Sequence, residues 1–309
     1  TTTNAVSGSN GRRPASGARI GEAHEGLSVS APPTRAPVFL LYATIDLPPE
    51  ARARLFGVLR DAFDGSMARH TALVGTRRYE ASFNCLTGVT TAIEKLDRNA
   101  SLGERYLLYR MPPVDPRASA RQALQGAALK TEMRRELKAA ACGVLASIPT
   151  DQAVVCSLQV EAEIVRLSCI LAQLRTFVER DRDHQLKILP EAEGPARIAQ
   201  QLLKLGKGVA LINGQTEIDE DAVGLLRRVV WDTMPTPRRK LIFQLTKNKR
   251  QEITKLQRAI GLERRATALK LADLELLDIF GSETVKPNKK YYFLTKRWRD
   301  LATGAHDHP

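Results

Sequence analysis

Residues 253–294 read ITKLQRAIGLERRATALKLADLELLDIFGSETVKPNKKYYFL, and their pattern decides the fold of the C-terminal end of the chain. Ile253 to Ile260 spaces its apolar residues as a helix does, and Gly261 supplies a turn. A longer helix is predicted from Glu263 to about Phe280, closed by Gly281. Beyond it, Glu283-Thr284-Val285 and Lys290 to Leu294 flank Lys286-Pro287-Asn288-Lys289 and predict a hairpin. Upstream, after Pro235-Thr236-Pro237, Arg238 to Lys247 predicts another helix. Residues 236–300 hold 17 Lys and Arg against 7 Asp and Glu, a surplus of +10 in a chain whose formal net charge is +13.

Helix, turn, helix and basic hairpin make the winged-helix pattern, in which the last helix enters a groove and the hairpin lies on the backbone. Arg264, Arg265 and Lys270 stand at the start of that helix, and Lys286, Lys289 and Lys290 at the wing tip. These six residues are the expected nucleic-acid contacts. Lysine and arginine in a cluster speak first of phosphate, so backbone affinity is expected before base reading. Winged helices also serve protein interaction, and a solvated basic face is the plain alternative.

Outward from this unit, the 309 residues suffice for two or three compact units, and 43% hydrophobic content suits a sizeable core. Aromatics are only 5%, against abundant Leu, Ala and Arg, which predicts a helix-rich protein. The sequence pI of about 9.8 favours an anionic partner, with DNA first. Cys85, Cys142, Cys156 and Cys169 form no C-x-x-C pair and read as reduced core residues of a cytoplasmic protein. No apolar run nears the roughly 20 residues of a membrane helix, so no membrane partner is expected. The chain opens with Thr1, which reads as a processed chain or a piece of something longer.

Residues 1–36, rich in Ser, Gly, Thr and Pro, are expected to be disordered or irregular. Residues 37–114 carry three apolar runs, Val38 to Ile45, Phe83 to Thr90 and Tyr106 to Met111, which suit strands of a parallel sheet. Pro48-Pro49-Glu50 opens a helix between the first two, and a basic turn follows it. Residues 115–235 are expected to be all helix: one long helix capped by Asp115 and reaching Ser147, a second to about Arg180, a third begun by Pro195, a fourth capped by Asp219. The winged-helix unit takes 236–303, and 304–309 is a tail.

The order of four features resembles the second half of an AAA+ ATPase. The strand ending at Asp46 looks like a Walker B strand, whose acid holds Mg²⁺ or orients water. The strand ending Leu86-Thr87-Gly88-Val89-Thr90 looks like the sensor 1 strand, with Thr90 at its polar tip. Leu102-Gly103-Glu104-Arg105-Tyr106 is similar to the arginine-finger segment, in which Arg105 would act on a neighbouring subunit's site. Gly194-Pro195-Ala196-Arg197 and Gln215 to Val223 resemble the lid of the helicase-like, MoxR-like and MCM-like branches, with Arg197 as sensor 2. Together with Asp64-Gly65-Ser66 and Gly88 to Glu94, they resemble phage and bacterial ATPases bearing a C-terminal winged helix.

The resemblance implies an α/β, mostly helical chain: a partial AAA+ core with parallel strands, a helical lid and a C-terminal winged helix. It implies catalytic roles for Asp46, Thr90, Arg105 and Arg197 in a homo-oligomeric ring acting in phage or plasmid-type replication. The departures are equally plain. No G-x-x-x-x-G-K-[ST] occurs, Gly206-Lys207-Gly208 lies inside a predicted helix, and Leu47 stands where a second Walker B acid belongs. ATP and Mg²⁺ are therefore expected only if a phosphate loop upstream completes the site, and otherwise no cofactor. Each residue also has a structural reading. Asp46 caps the helix at Pro48, Thr90 ends a strand, Arg105 pairs with Glu104 or Asp97, and Arg197 sits in a first helical turn. Two functions follow as expectations: the DNA-binding C-terminal portion of a helicase-like or loader ATPase, or a non-enzymatic DNA-binding adaptor on a degenerate AAA+ scaffold.

Overall fold

A computed structural model describes residues 106–149, 151–286 and 289–302, together with 66–71, 75–80 and the positions 48, 50, 51, 57 and 88. The expected strands at 38–45 and 83–90, apart from Gly88, lie outside the described residues, as do Asp46, Thr90 and Arg105.

The described chain is mostly helical, with a small three-stranded antiparallel sheet. Two strands, β1 (Ser66–Thr71) and β2 (Gly75–Glu80), pair as an antiparallel hairpin where a basic turn was expected. Tyr106 to Met111, expected as a strand, has no regular structure. Its backbone is satisfied by a helix instead: Leu108 N–H donates to Thr233 Oγ1 at 2.9 Å and Arg110 N–H to Asp232 Oδ2 at 2.9 Å. Apolar content alone did not distinguish a strand from a segment laid across a helix end. Among the described residues every ladder is antiparallel, and parallel pairing is confined to an isolated bridge between Val155 and Glu217.

Asp115 caps α1 (Pro116–Gln125) as expected, accepting from Arg117 N–H at 3.0 Å. The helix does not run through to Ser147, however. Gly126 closes it, and α2 (Lys130–Ser147) starts afresh after a turn. Neither helix has a buried residue, and Cys142 on α2 is exposed rather than part of a core. The next helix, α3 (Leu158–Arg175), begins at the Ser157 cap and is the spine of the structure. It stops short of Arg180, because Thr176 turns extended there.

Two helices pack on it. α4 (Ala196–Ile212) starts after Pro195 and stops at Asn213 and Gly214, whose φ of 70° suits a residue without a Cβ. Its buried line is Ile198, Leu202, Gly206 and Ala210. Ile212, expected on the buried side, is 56% exposed, since small residues carry the line at that end. A Cβ at Gly206 would stand 3.2 Å from Ile218 Cδ1, so the neighbouring chain approaches closely there. α5 (Glu220–Thr233) has its expected cap, Ala222 N–H donating to Asp219 Oδ1 at 2.8 Å, and buries Val223, Leu226 and Val230.

The C-terminal elements follow in order: α6 (Thr236–Lys247), β3 (Gln251–Glu252), α7 (Ile253–Ile260), α8 (Arg264–Leu276), β4 (Phe280–Lys286), β5 (Lys289–Leu294) and α9 (Lys296–Ala302). The sheet order is β3-β5-β4. Gly261 at φ 70° separates α7 from α8, as the sequence indicates. α8 ends at Leu276 rather than Phe280, and Gly281 lies inside β4 rather than closing a helix. Opposite Gly281 stands Phe293, whose ring covers the glycine: a Cβ there would lie 2.5 Å from Cε2.

One buried cluster runs from Ile164 on α3 to Trp298 on α9, crossing Pro235 without a break. Arg238 in the first turn of α6 is 93% buried by its 7% exposure and donates through Nη1 to the carbonyls of Leu174 at 2.6 Å and Thr176 at 2.7 Å. Arg180 Nε meets Asp273 Oδ1 of α8 at 2.9 Å. On the other side of α3, Glu163 receives Arg166 at 2.6 Å and Arg227 at 2.8 Å.

Gly281→Ala should destabilise the protein by about 1–3 kcal/mol, as overpacking does, read as a lower thermal midpoint. A midpoint equal to wild type contradicts the ring-over-glycine account. The Arg166 hydrogen bond, with Arg227 and against partial burial, holds the Glu163 carboxyl below its usual range. A lowered folded pKa contributes stability that is present above the unfolded value, about 4.3, and is lost as pH falls through the folded one. Glu163→Gln should therefore lower the urea midpoint at neutral pH and flatten its acid-side decline. Parallel pH profiles for the two proteins count against it.

Candidate nucleic-acid interface

Five of the six expected contact residues fall into two classes, and the division is one of charge pairing. Arg264 and Arg265 open α8 and are exposed. Among the described residues neither has a carboxylate partner. Glu263, in the N-cap position, makes no side-chain cap hydrogen bond, so the first amides of α8 also lack that partner. The preceding helix adds Lys255 and Arg258, exposed on its polar face, three residues apart and likewise without an ion pair among the described residues. The sequence reading missed these two, although their i, i+3 spacing on an amphipathic helix marks them as one face.

Lys270, Lys289 and Lys290 differ. Lys270 Nζ lies 3.7 Å from Asp273, an acid already held by Arg180. Lys289 Nζ lies 3.6 Å from Glu252, and Lys290 Nζ lies 3.1 Å from Glu275 and 4.9 Å from the Tyr292 ring centre. Partial burial works against the Lys290 charge, yet the Glu275 carboxylate and the Tyr292 oxygen hold its pKa above the ordinary lysine value. Tyr291 donates to Glu252 Oε1 at 2.8 Å, which lowers the carboxyl's pKa and raises the phenol's. Arg250 stacks over the Tyr291 ring at 4.6 Å and pairs with Glu283. The turn end of the hairpin is thus tied to acids of β3, α8 and β4. Lys286 ends β4, and Pro287 and Asn288 lie outside the described residues.

The outward side of α8 carries Ala268, Leu269 and Ala272, and Leu276 is 41% exposed. These side chains cannot donate to base edges, so the polar reach of α8 is concentrated in its first turn.

Of the residues implied by the ATPase resemblance, Asp46, Thr90 and Arg105 lie outside the described residues, and Arg197 lies among them. Arg197, in the first turn of α4, pairs with Glu193, whose other oxygen stands 4.0 Å from the nearly buried Arg175. Gly206-Lys207-Gly208 sits within α4. Among the described residues there is no group of three or more His, Cys, Asp or Glu able to hold a metal ion, and no helix is long and apolar enough to cross a membrane.

Comparison with protein-family models, curated proteins and solved structures finds no match to this chain.

Proposed function

We propose that residues 236–300 form a winged-helix-type unit that binds the DNA backbone with weak sequence preference. One observation carries this reading: Arg264 and Arg265 lie exposed and without carboxylate partners at the start of α8, where a recognition helix meets its groove. Lys255 and Arg258 extend the same positive region. Phosphates at these positions would release condensed counterions, which makes the binding salt-sensitive. The apolar flank of α8 supports backbone contact over base reading.

We place this unit at the end of a chain derived from an AAA+ ATPase, acting as a helicase-like or loader component in a homo-oligomeric ring, with ATP and Mg²⁺ completed from upstream. Arg105 in trans and Arg197 in cis are the arginines this reading assigns to the triphosphate. The pairing of Arg197 with Glu193 favours the second reading, a DNA-binding adaptor that hydrolyses nothing.

Arg264→Glu with Arg265→Glu should weaken duplex DNA binding and reduce the slope of log affinity against log salt by roughly 2. Alanine at Lys289 and Lys290 should cost less, because each lysine also serves an internal carboxylate. Anisotropy titrations over a salt series read both. Unchanged binding in the Arg264/Arg265 variant, or no binding by wild type at low salt, removes the proposal. The purified chain should not turn over ATP by itself, and phosphate release that disappears in Arg197→Ala would overturn that expectation.

A further inference from the structure

The outer side of α6 carries a stripe that the α8 reading does not use. Lys240, Phe243 and Lys247 fall within about 60° of one another around the helix, and all three are exposed, Phe243 to 51%. The buried residues Arg238, Leu241, Ile242 and Leu245 occupy the opposite side. The helix sequence, TPRRKLIFQLTK, contains no carboxylate. Among the described residues Lys240 and Lys247 have no ion-pair partner, and neither has the exposed Lys249 just beyond.

A lone exposed phenylalanine is ordinary on a protein surface. An exposed ring with an unpaired ammonium on each side is a more specific arrangement. We propose that this stripe is a second nucleic-acid contact, a platform for a single strand, with a base stacked on Phe243 and flanking phosphates on Lys240 and Lys247. The lysines are about 10 Å apart along the helix axis, with the ring between them. A single strand presents the same alternation of π-face and negative charge at every nucleotide. An amphipathic acidic peptide fits less well. Such peptides seat several apolar anchors in a groove, and Phe243 is the sole exposed large apolar side chain of α6.

The inference does not depend on the duplex contact at Arg264 and Arg265, and one experiment separates them. The full chain is titrated with a labelled oligothymidylate and with a duplex of equal length. Phe243→Leu keeps apolar bulk but loses the stacking ring, and should weaken oligothymidylate binding about tenfold while leaving duplex binding unchanged. Phe243→Tyr should bind both as wild type does. In Phe243→Trp the added indole should be quenched by oligothymidylate, above the background of Trp231 and Trp298, and the quench should persist when Arg264→Glu and Arg265→Glu are added. Wild-type single-strand affinity in Phe243→Leu overturns the proposal. So does an equal loss for both nucleic acids. Failure of duplex binding with Phe243-dependent single-strand binding intact would sink the α8 reading and leave this one standing.

Discussion

The structure depends on what happens at the C-terminal end of α3. Every helix leaves its last carbonyls without internal partners, and here the end of the central helix is buried. Arg238, reaching across from the first turn of α6, donates to the carbonyls of Leu174 and Thr176. A guanidinium suits this place twice over: it offers several donors in a fixed plane, and its charge complements the negative end of the helix dipole. The same contact fixes where α6 begins, and so where the sheet and α8 sit against α3. Arg180 repeats the device one turn of chain later, tying the segment after α3 to Asp273 on α8. Gln173, near the end of α3, reaches the carbonyl of Leu277 from the other direction. Three side chains thus bind the central helix to the basic C-terminal elements, over an apolar cluster that spans both.

That attachment sorts the positive charge. Arginines facing inward are consumed by structure: Arg238 by carbonyls, Arg239 by Asp232, Arg180 by Asp273, Arg227 by Glu163 and Glu220. Asp232 also takes the backbone of Arg110, so the extended segment and α5 share one carboxylate. Around the hairpin, Glu252, Glu275 and Glu283 take Lys289, Lys290 and Arg250. Such exposed pairs contribute little stability one by one, but they redirect side chains toward the protein. Among the described residues, cations without such a partner include those on α7, the start of α8 and the outer stripe of α6, and others stand on α1, α2 and α4. Net charge therefore says little about which cations are paired within the protein.

Much of the chain from Asp115 onward is legible in the sequence because its signals are local. Asp115 and Asp219 cap the helices they precede, Gly214 and Gly261 adopt positive φ where helices stop, and the hairpin forms between the expected residues. The errors have local causes too. Gly126 breaks the long helix expected to reach Ser147, and Gly281 sits in a strand under Phe293, since glycine serves a turn and a covered strand position equally well. Tyr106 to Met111 has a strand's composition but pairs with a helix end, which no window of sequence can reveal.

By itself the sequence determined the caps at Asp115 and Asp219, the stops at Gly214 and Gly261, the hairpin, and the concentration of basic residues after Pro235. These depend on residue types a few positions apart, where propensity and capping act. The tertiary structure alone decided which cations are free. Ion pairing joins residues such as Arg180 and Asp273, or Lys290 and Glu275, that only packing brings within reach. It also decided that Phe243 faces outward between two unpaired lysines. A helix surface acquires an outside only once the rest of the chain has covered its other side.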